Sequence, residues 1–269
     1  MSKVLILGRG PSLDYLKNID FDSIDSVILM NNHEKTLLDK DILNKLRLKD
    51  VYVMCNINQA GFVPGVLEKI DVKSCLTNRL KPDWDLWREH KSKQIKHNAG
   101  GTLNNLSYLP YIAEDEPYLY VWRGPEGKNK NNMKTYNGRL IEHMPEAAEK
   151  YLISVYNNNL VCNCSYYGTL YAVLKLAASE IIYCGLDFYN NLKINKKWFV
   201  TPPPYLTKQW WDLRVKYEGE HMKVLWDEYL SSFFPDVDFM FYTTADLDFK
   251  SANIKHIKVE SIDSNKTYR

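Results

Sequence analysis

Short apolar runs separated by amphipathic stretches organise this 269-residue chain. The runs are KVLIL (3–7), SVILMN (26–31), VYVMCN (51–56), YLYVW (118–122), EIIYCG (180–185) and DFMFYT (238–243). Near-continuous apolar runs of this length suit parallel strands buried on both faces. Between them EKTLLDKDILNKLRL (34–48), PEAAEKYLISVY (145–156) and SYYGTLYAVLKLAA (165–178) are amphipathic and helix-like. Alternation at this spacing predicts an α/β fold built on a doubly wound, mostly parallel sheet. Two regions break the rhythm. Within 80–140, RGPEGKNKNNMKTYNG is a polar loop signal that predicts a surface excursion or a mobile flap. Within 195–235, three prolines at 202–204 precede mixed aromatic and charged residues and a helix-like end. That region predicts a lid, a small helical insertion before the last strand. The expected partition is one domain over 1–269 with the insertion at 195–235.

Composition narrows the class. A net charge of only +2 argues against a dedicated nucleic-acid binder. Aromatic residues reach 13%, with 19 Tyr and 7 Trp, and many stand among polar residues, as in clefts where a ring offers an apolar face and a polar tip. Five cysteines (Cys55, Cys75, Cys162, Cys164, Cys184) form no CxxC pair, and three of them lie in or beside apolar runs and read as small buried hydrophobes in a reducing compartment. No signal-peptide-like apolar stretch opens the chain and no run approaches membrane-spanning length. The expectation is a soluble, cytoplasmic protein with at most a peripheral contact at the inner face of a membrane.

Candidate chemistry gathers where strands end. In LGRGPSL, Gly8 and Gly10 lack Cβ atoms, so backbone N–H groups can approach an anion. Pro11 suits a helix start and Ser12 offers a hydroxyl. Leu13 stands where a dinucleotide fingerprint needs its third glycine, and no Walker lysine is present. The plain alternative is a tight turn that only needs glycine. Asn31–Asn32 and Asn56 close the next two runs, each with a donor and an acceptor for a base edge or sugar hydroxyls. Singly, each is also a common turn residue. Gly185 closes EIIYCG, and Asp187 and Tyr189 follow at a spacing that points both to one face of an extended chain.

These blocks resemble the bacterial CMP-sialic acid-dependent sialyltransferases of lipooligosaccharide synthesis. The family's G-N-G-P-S-L turn corresponds to Gly8-Arg9-Gly10-Pro11-Ser12-Leu13. Its helix-opening Ser-Gly corresponds to Ser165-Tyr166, and its G-[IL]-D-F-Y block to Gly185-Leu186-Asp187-Phe188-Tyr189. The resemblance implies a Rossmann-like, GT-A-like domain with a lid, taking a CMP-sugar donor and a glycan acceptor, with no cofactor or metal. It places Gly8, Arg9, Gly10 and Ser12 near the donor phosphate, and Asn31, Asn56, Ser165, Gly185 and Asp187 along the nucleotide and sugar. Tyr189 would stabilise the leaving phosphate, and Tyr217 and His221 of YEGEHMKVL match the family's lid tyrosine and general base. Trp198 stands in the region of a second leaving-group tyrosine. The family's oligomers imply a homo-oligomer, whereas its membrane-associating tail has no counterpart in the short polar SANIKHIKVESIDSNKTYR. Arg9, Cys162, Cys164 and Tyr166 depart from the pattern, so a related acidic sugar or a different nucleotide sugar fits as well as sialic acid.

Glycosyl transfer needs a base for the acceptor's proton and charge stabilisation for the departing phosphate. An imidazole suits the first task, and direct displacement inverts the anomeric centre. His221 also reads as an ordinary exposed helix residue between glutamates, and His33 is a reserve base. His90, His97, His143 and His256 show no metal-ligand spacing. Asp236-Val237-Asp238 and Asp246-Leu247-Asp248 spell D-x-D, a metal–diphosphate triplet that also arises by chance. Tyr205, Trp210, Trp211 and Tyr217 either pack a lid or form an acceptor platform. Rival readings are a pterin pyrophosphokinase-like enzyme, a flagellin-modifying glycosyltransferase relative, and a non-catalytic nucleotide-binding module.

Overall fold

Seven strands form one sheet: β1 (Ser2–Leu7), β2 (Ser26–Met30), β3 (Asp50–Cys55), β4 (Ser74–Thr77), β5 (Ala178–Cys184), β6 (Asp238–Thr243) and β7 (Ile254–Lys258). The computed structural model describes residues 2–31, 33, 36–55, 66, 69–77, 151, 155, 164–188 and 219–260. Five of the six aliphatic runs are strands within a residue or two of their expected limits; YLYVW at 118–122 lies outside the described residues, as does the polar loop within 80–140. Two strands were not expected. β4 is short, and β7 lies in the segment read as a polar tail, so DFMFYT is not the last strand. Lys255 and Lys258 keep β7 polar, as befits an edge strand that needs only one hydrogen-bonded neighbour.

The strand order is β4-β3-β2-β1-β5-β6-β7 and every ladder is parallel. The chain therefore builds outward from β1 in one direction, then returns to its other side at β5. Carboxyl ends of strands at such a reversal are where α/β sheets place ligands.

Alternation along the strands divides the core in two. Val4, Ile6, Ile28, Ile181, Tyr183, Phe239 and Phe241 face one side; Leu5, Leu7, Val27, Leu29, Val51, Ile182 and Cys184 face the other. The second face is covered by a 3-10 helix (Pro11–Asn18) and by α1 (Lys40–Leu46), whose first turn is capped by the Asp39 carboxylate. Pro11 does open a helix after the first turn, but a 3-10 one. The first face is covered by α2 (Cys164–Leu174) and by a helix running through α3 (Glu220–Val224), a π-helical turn (Leu225–Leu230) and α4 (Ser231–Phe233).

Trp226 anchors that last helix: its buried indole meets the rings of Tyr183, Phe188 and Phe241 edge-on. The described part of the 195–235 stretch, from 219 onward, thus packs into the sheet's core; residues 195–218 lie outside the described residues. Both covering helices on this face lead directly into a strand, so they run antiparallel to the sheet and begin at its carboxyl edge. A helix from Glu220 to Phe233 is about 21 Å long, matching the ~23 Å of a seven-residue strand such as β5. Among the described residues no helix is long and apolar enough to cross a membrane.

Candidate functional site

The turn after β1 packs directly on the turn after β5. The Gly8 N–H donates to the Cys184 carbonyl at 2.8 Å and the Gly10 N–H to the Gly185 carbonyl at 2.7 Å. The Ser12 hydroxyl accepts from the Gly185 N–H (2.8 Å) and donates to Asp187 Oδ2 (2.9 Å), which also accepts from the Ser12 N–H (3.0 Å). A Cβ at Gly8 would overlap the Gly185 carbonyl, and one at Gly10 would overlap the Asp187 carboxylate. Gly185 itself has φ 80, and a Cβ there would stand 2.6 Å from the Gly8 carbonyl oxygen. Glycine is needed at these positions because two turns meet backbone to backbone. The N–H groups of Gly8, Gly10 and Ser12, expected to face a phosphate, are bonded within the protein.

Asp187 is the centre of this arrangement. Besides the two donors from Ser12, its Oδ1 accepts from Thr243 Oγ1 (3.0 Å), the Thr244 N–H (2.7 Å) and Thr244 Oγ1 (2.8 Å). Five donors on one buried carboxylate fill the roughly four lone-pair positions such a group offers. Asp187 therefore braces the ends of β1, β5 and β6, and its oxygens are occupied by protein donors instead of being presented to a ribose. Thr243 and Thr244 escaped the sequence reading, since threonine at a strand end looks like an ordinary β-former. The next residue, Phe188, turns with φ 51 to put its ring on Trp226. Burial and the charges of Asp187 and Asp14 push the Cys184 thiol up, which suits a packed, unreactive sulfur.

The other half of the edge, over β1 and β2, is built differently. Arg9 sits half-buried at the apex of the first turn, held between the two bonded glycines. Asn31 ends β2 with φ 64, and its N–H donates to the Met54 carbonyl at 2.7 Å. The first residue of α2 reaches it: Cys164 Sγ lies 3.9 Å from Asn31 Oδ1. Ser165 follows, buried in the first helical turn, its carbonyl accepting from the Thr169 hydroxyl. Arg9, Asn31 and Ser165 thus come from three separate elements to one region of the carboxyl edge.

His33 lies buried beneath this region. Nε2 is 3.0 Å from the Leu7 carbonyl, and Nδ1 is 3.1 Å from Thr36 Oγ1. A carbonyl only accepts, so Nε2 carries the proton and Nδ1 accepts from the Thr36 hydroxyl. Burial pushes the imidazole down to about 3, the Arg9 charge adding to the effect against hydrogen bonds to the Leu7 and Met30 carbonyls. A neutral, double-bonded imidazole ties β1 to the loop after β2. That geometry removes His33 as a reserve base.

His221 occupies the first turn of α3, half-buried, at the carboxyl edge by the direction of its helix. Asn56, Tyr189, Trp198, Tyr205, Trp210, Trp211 and Tyr217 lie outside the described residues. Of the two D-x-D triplets, Asp246 is exposed and pairs with Lys258, and Asp238 lies 3.8 Å from Lys255. Among the described residues no group of three or more His, Cys, Asp and Glu side chains is arranged to hold a metal ion. Comparison with known protein families, with curated proteins and with solved structures finds no match, so the function must be argued from the site itself.

Proposed function

We propose that this protein is a nucleotide-sugar glycosyltransferase that moves sialic acid or a related acidic sugar from a CMP donor to a glycan hydroxyl, with inversion. The observation that carries the reading is that the Arg9 turn, Asn31, the start of the Ser165 helix, whose Cys164 reaches Asn31, and the start of the His221 helix all lie at the carboxyl edge of the sheet, which reverses its order at β1. A Rossmann-like, GT-A-like domain with a lid within 195–235 is the fold this reading assigns.

The roles within it join the geometry of the described residues to the family resemblance. Arg9 supplies a fixed positive charge for the phosphate or the sugar carboxylate, the part first given to the glycine backbone. Asn31 and Ser165 face the nucleotide and sugar. Asp187, Ser12, Gly8, Gly10 and Gly185 hold the Arg9 turn in place. His221 accepts the acceptor's hydroxyl proton as the new glycosidic bond forms and the bond to the phosphate breaks. One phosphate leaves with its charge, which Arg9 and the tyrosines Tyr189 and Tyr217 offset, so the reaction requires no metal. The chain acts in the cytoplasm, as a homo-oligomer, on a glycan at or near the membrane's inner face.

The pyrophosphokinase reading is weaker on this geometry. It needs acidic magnesium ligands beside the first turn; Asp187 there is filled by protein donors, which leaves Asp14 in the helix that opens from the turn. Thermal-shift titration with CMP, UDP, GDP and ATP is the direct test. A CMP-selective rise supports the transferase; an ATP-selective rise favours the kinase, and no shift with any nucleotide overturns both. With a donor identified, His221→Ala should lower turnover about 10²–10⁴-fold while leaving CMP binding unchanged. Undiminished turnover would remove His221 from the role.

A further inference from the structure

We infer that Thr243 and Thr244, at the carboxyl end of β6, are positioning residues for the binding edge, acting through Asp187 on the turn that carries Arg9. The inference rests on the nucleotide-sugar reading above and deepens it. Their two hydroxyls and the Thr244 N–H take up Oδ1, while Ser12 takes up Oδ2 through its N–H and hydroxyl. The carboxylate is thus oriented from one side and grips Ser12 with the other. Ser12 in turn accepts from the Gly185 N–H, and the flanking amides of Arg9's neighbours, Gly8 and Gly10, are bonded to Cys184 and Gly185.

Three consecutive strand ends across the sheet, β1, β5 and β6, are therefore joined by one carboxylate. The Thr243 hydroxyl also accepts from the Ala245 N–H, fixing its own rotamer, and the side chain is wholly buried. A guanidinium has a long, rotamer-rich stem, so a rigid turn beneath it reduces what binding must order. Loosening Oδ1 leaves Asp187 free to tilt, and the Ser12 and Arg9 backbone follows.

Thr244→Val deletes one donor to Oδ1 while keeping shape and the backbone donor; Thr244→Ser restores the hydroxyl. CMP affinity, measured calorimetrically on the full chain, should fall about tenfold in the valine variant, at the lower end of what removing a supporting hydrogen bond around a site does. The serine variant should return to within about twofold of wild type. Ile24→Ala, a cavity in the core at the opposite edge of the sheet, serves as the control for a general loss of stability and should keep its CMP affinity. Wild-type affinity in Thr244→Val, or no recovery in Thr244→Ser, overturns the inference. Should the wild-type chain bind no CMP, the nucleotide reading fails on its own. The positioning claim is then read from the Gly10 and Ser12 amide resonances, which shift in Thr244→Val and return in Thr244→Ser. Resonances that stay put in the valine variant overturn it.

Discussion

Two halves of one sheet edge use similar residue types for opposite ends. Over β1, β5 and β6, the glycines, Ser12, Asp187 and the paired threonines bond to one another, and the polar groups close the structure. Over β1 and β2, Arg9, Asn31 and Ser165 come together from separate elements, with a charge and a left-handed backbone at the edge. Hydrogen-bonding residues at a strand end are thus not by themselves a binding site: in the first half they bond to one another and join three strand ends. A glycine-rich turn can serve either use, and here it is the pedestal for the arginine it contains.

Gly185→Ala gives the sharpest break between the halves. The new Cβ meets the Gly8 backbone in a φ 80 conformation that L-residues rarely adopt. Overlap with backbone and the left-handed conformation together should lower unfolding free energy by about 3 kcal/mol or more. Urea denaturation checks it. A well-folded variant that has lost only nucleotide affinity would mean that the glycines serve a ligand after all.

His33 gives a smaller, pH-dependent effect. Its folded value of about 3 lies below the usual imidazole value, so the unfolded chain takes up a proton that the folded chain refuses. The stabilising contribution is complete above about pH 6.5 and is lost as pH falls toward 3, at up to about 1.4 kcal/mol per unit. By pH 4.5 that amounts to about 2–3 kcal/mol. His33→Gln keeps a donor for the Leu7 carbonyl and has nothing to titrate, so its urea midpoint should fall less than that of wild type between pH 7 and 4.5. Parallel declines would show that His33 titrates freely and that the region beneath Arg9 is not closed.

Much of this architecture can be read from residue order, because parallel strands buried on two faces leave a continuous apolar signature. β1, β2, β3, β5 and β6 all carry it. β4 and β7 do not: one is a four-residue strand, the other an edge strand with lysines at two of its five positions. At the site, the right residues stand out for a partly different reason. Gly8, Gly10, Ser12, Gly185 and Asp187 are all functional in type, yet Ser12 meets Asp187 across 175 positions of chain. No local pattern reveals that contact, so a turn that fits another turn reads as one that fits a phosphate. Thr243 and Thr244 are silent for the same reason. His33 at a strand end looks reactive until its two nitrogens are seen to bond Leu7 and Thr36.

Asn31→Gly should have the smallest effect on folding, and it separates the halves most cleanly. Asparagine at φ 64 sits in a conformation that glycine adopts without strain. Relief of that strain opposes the added entropy of a glycine in the unfolded chain, and each is about 1 kcal/mol or less. The contact with Cys164 at 3.9 Å is long and weak. Stability should therefore stay within about 1 kcal/mol of wild type. On the proposed reading, in which Asn31 faces the nucleotide, CMP affinity should in contrast fall at least about tenfold. In the other half, the substitution Gly185→Ala reverses the pattern, with folding lost before any ligand is considered. If Asn31→Gly lowers stability as much as it lowers affinity, Asn31 is a second brace, and the binding region must be sought nearer Arg9 and His221.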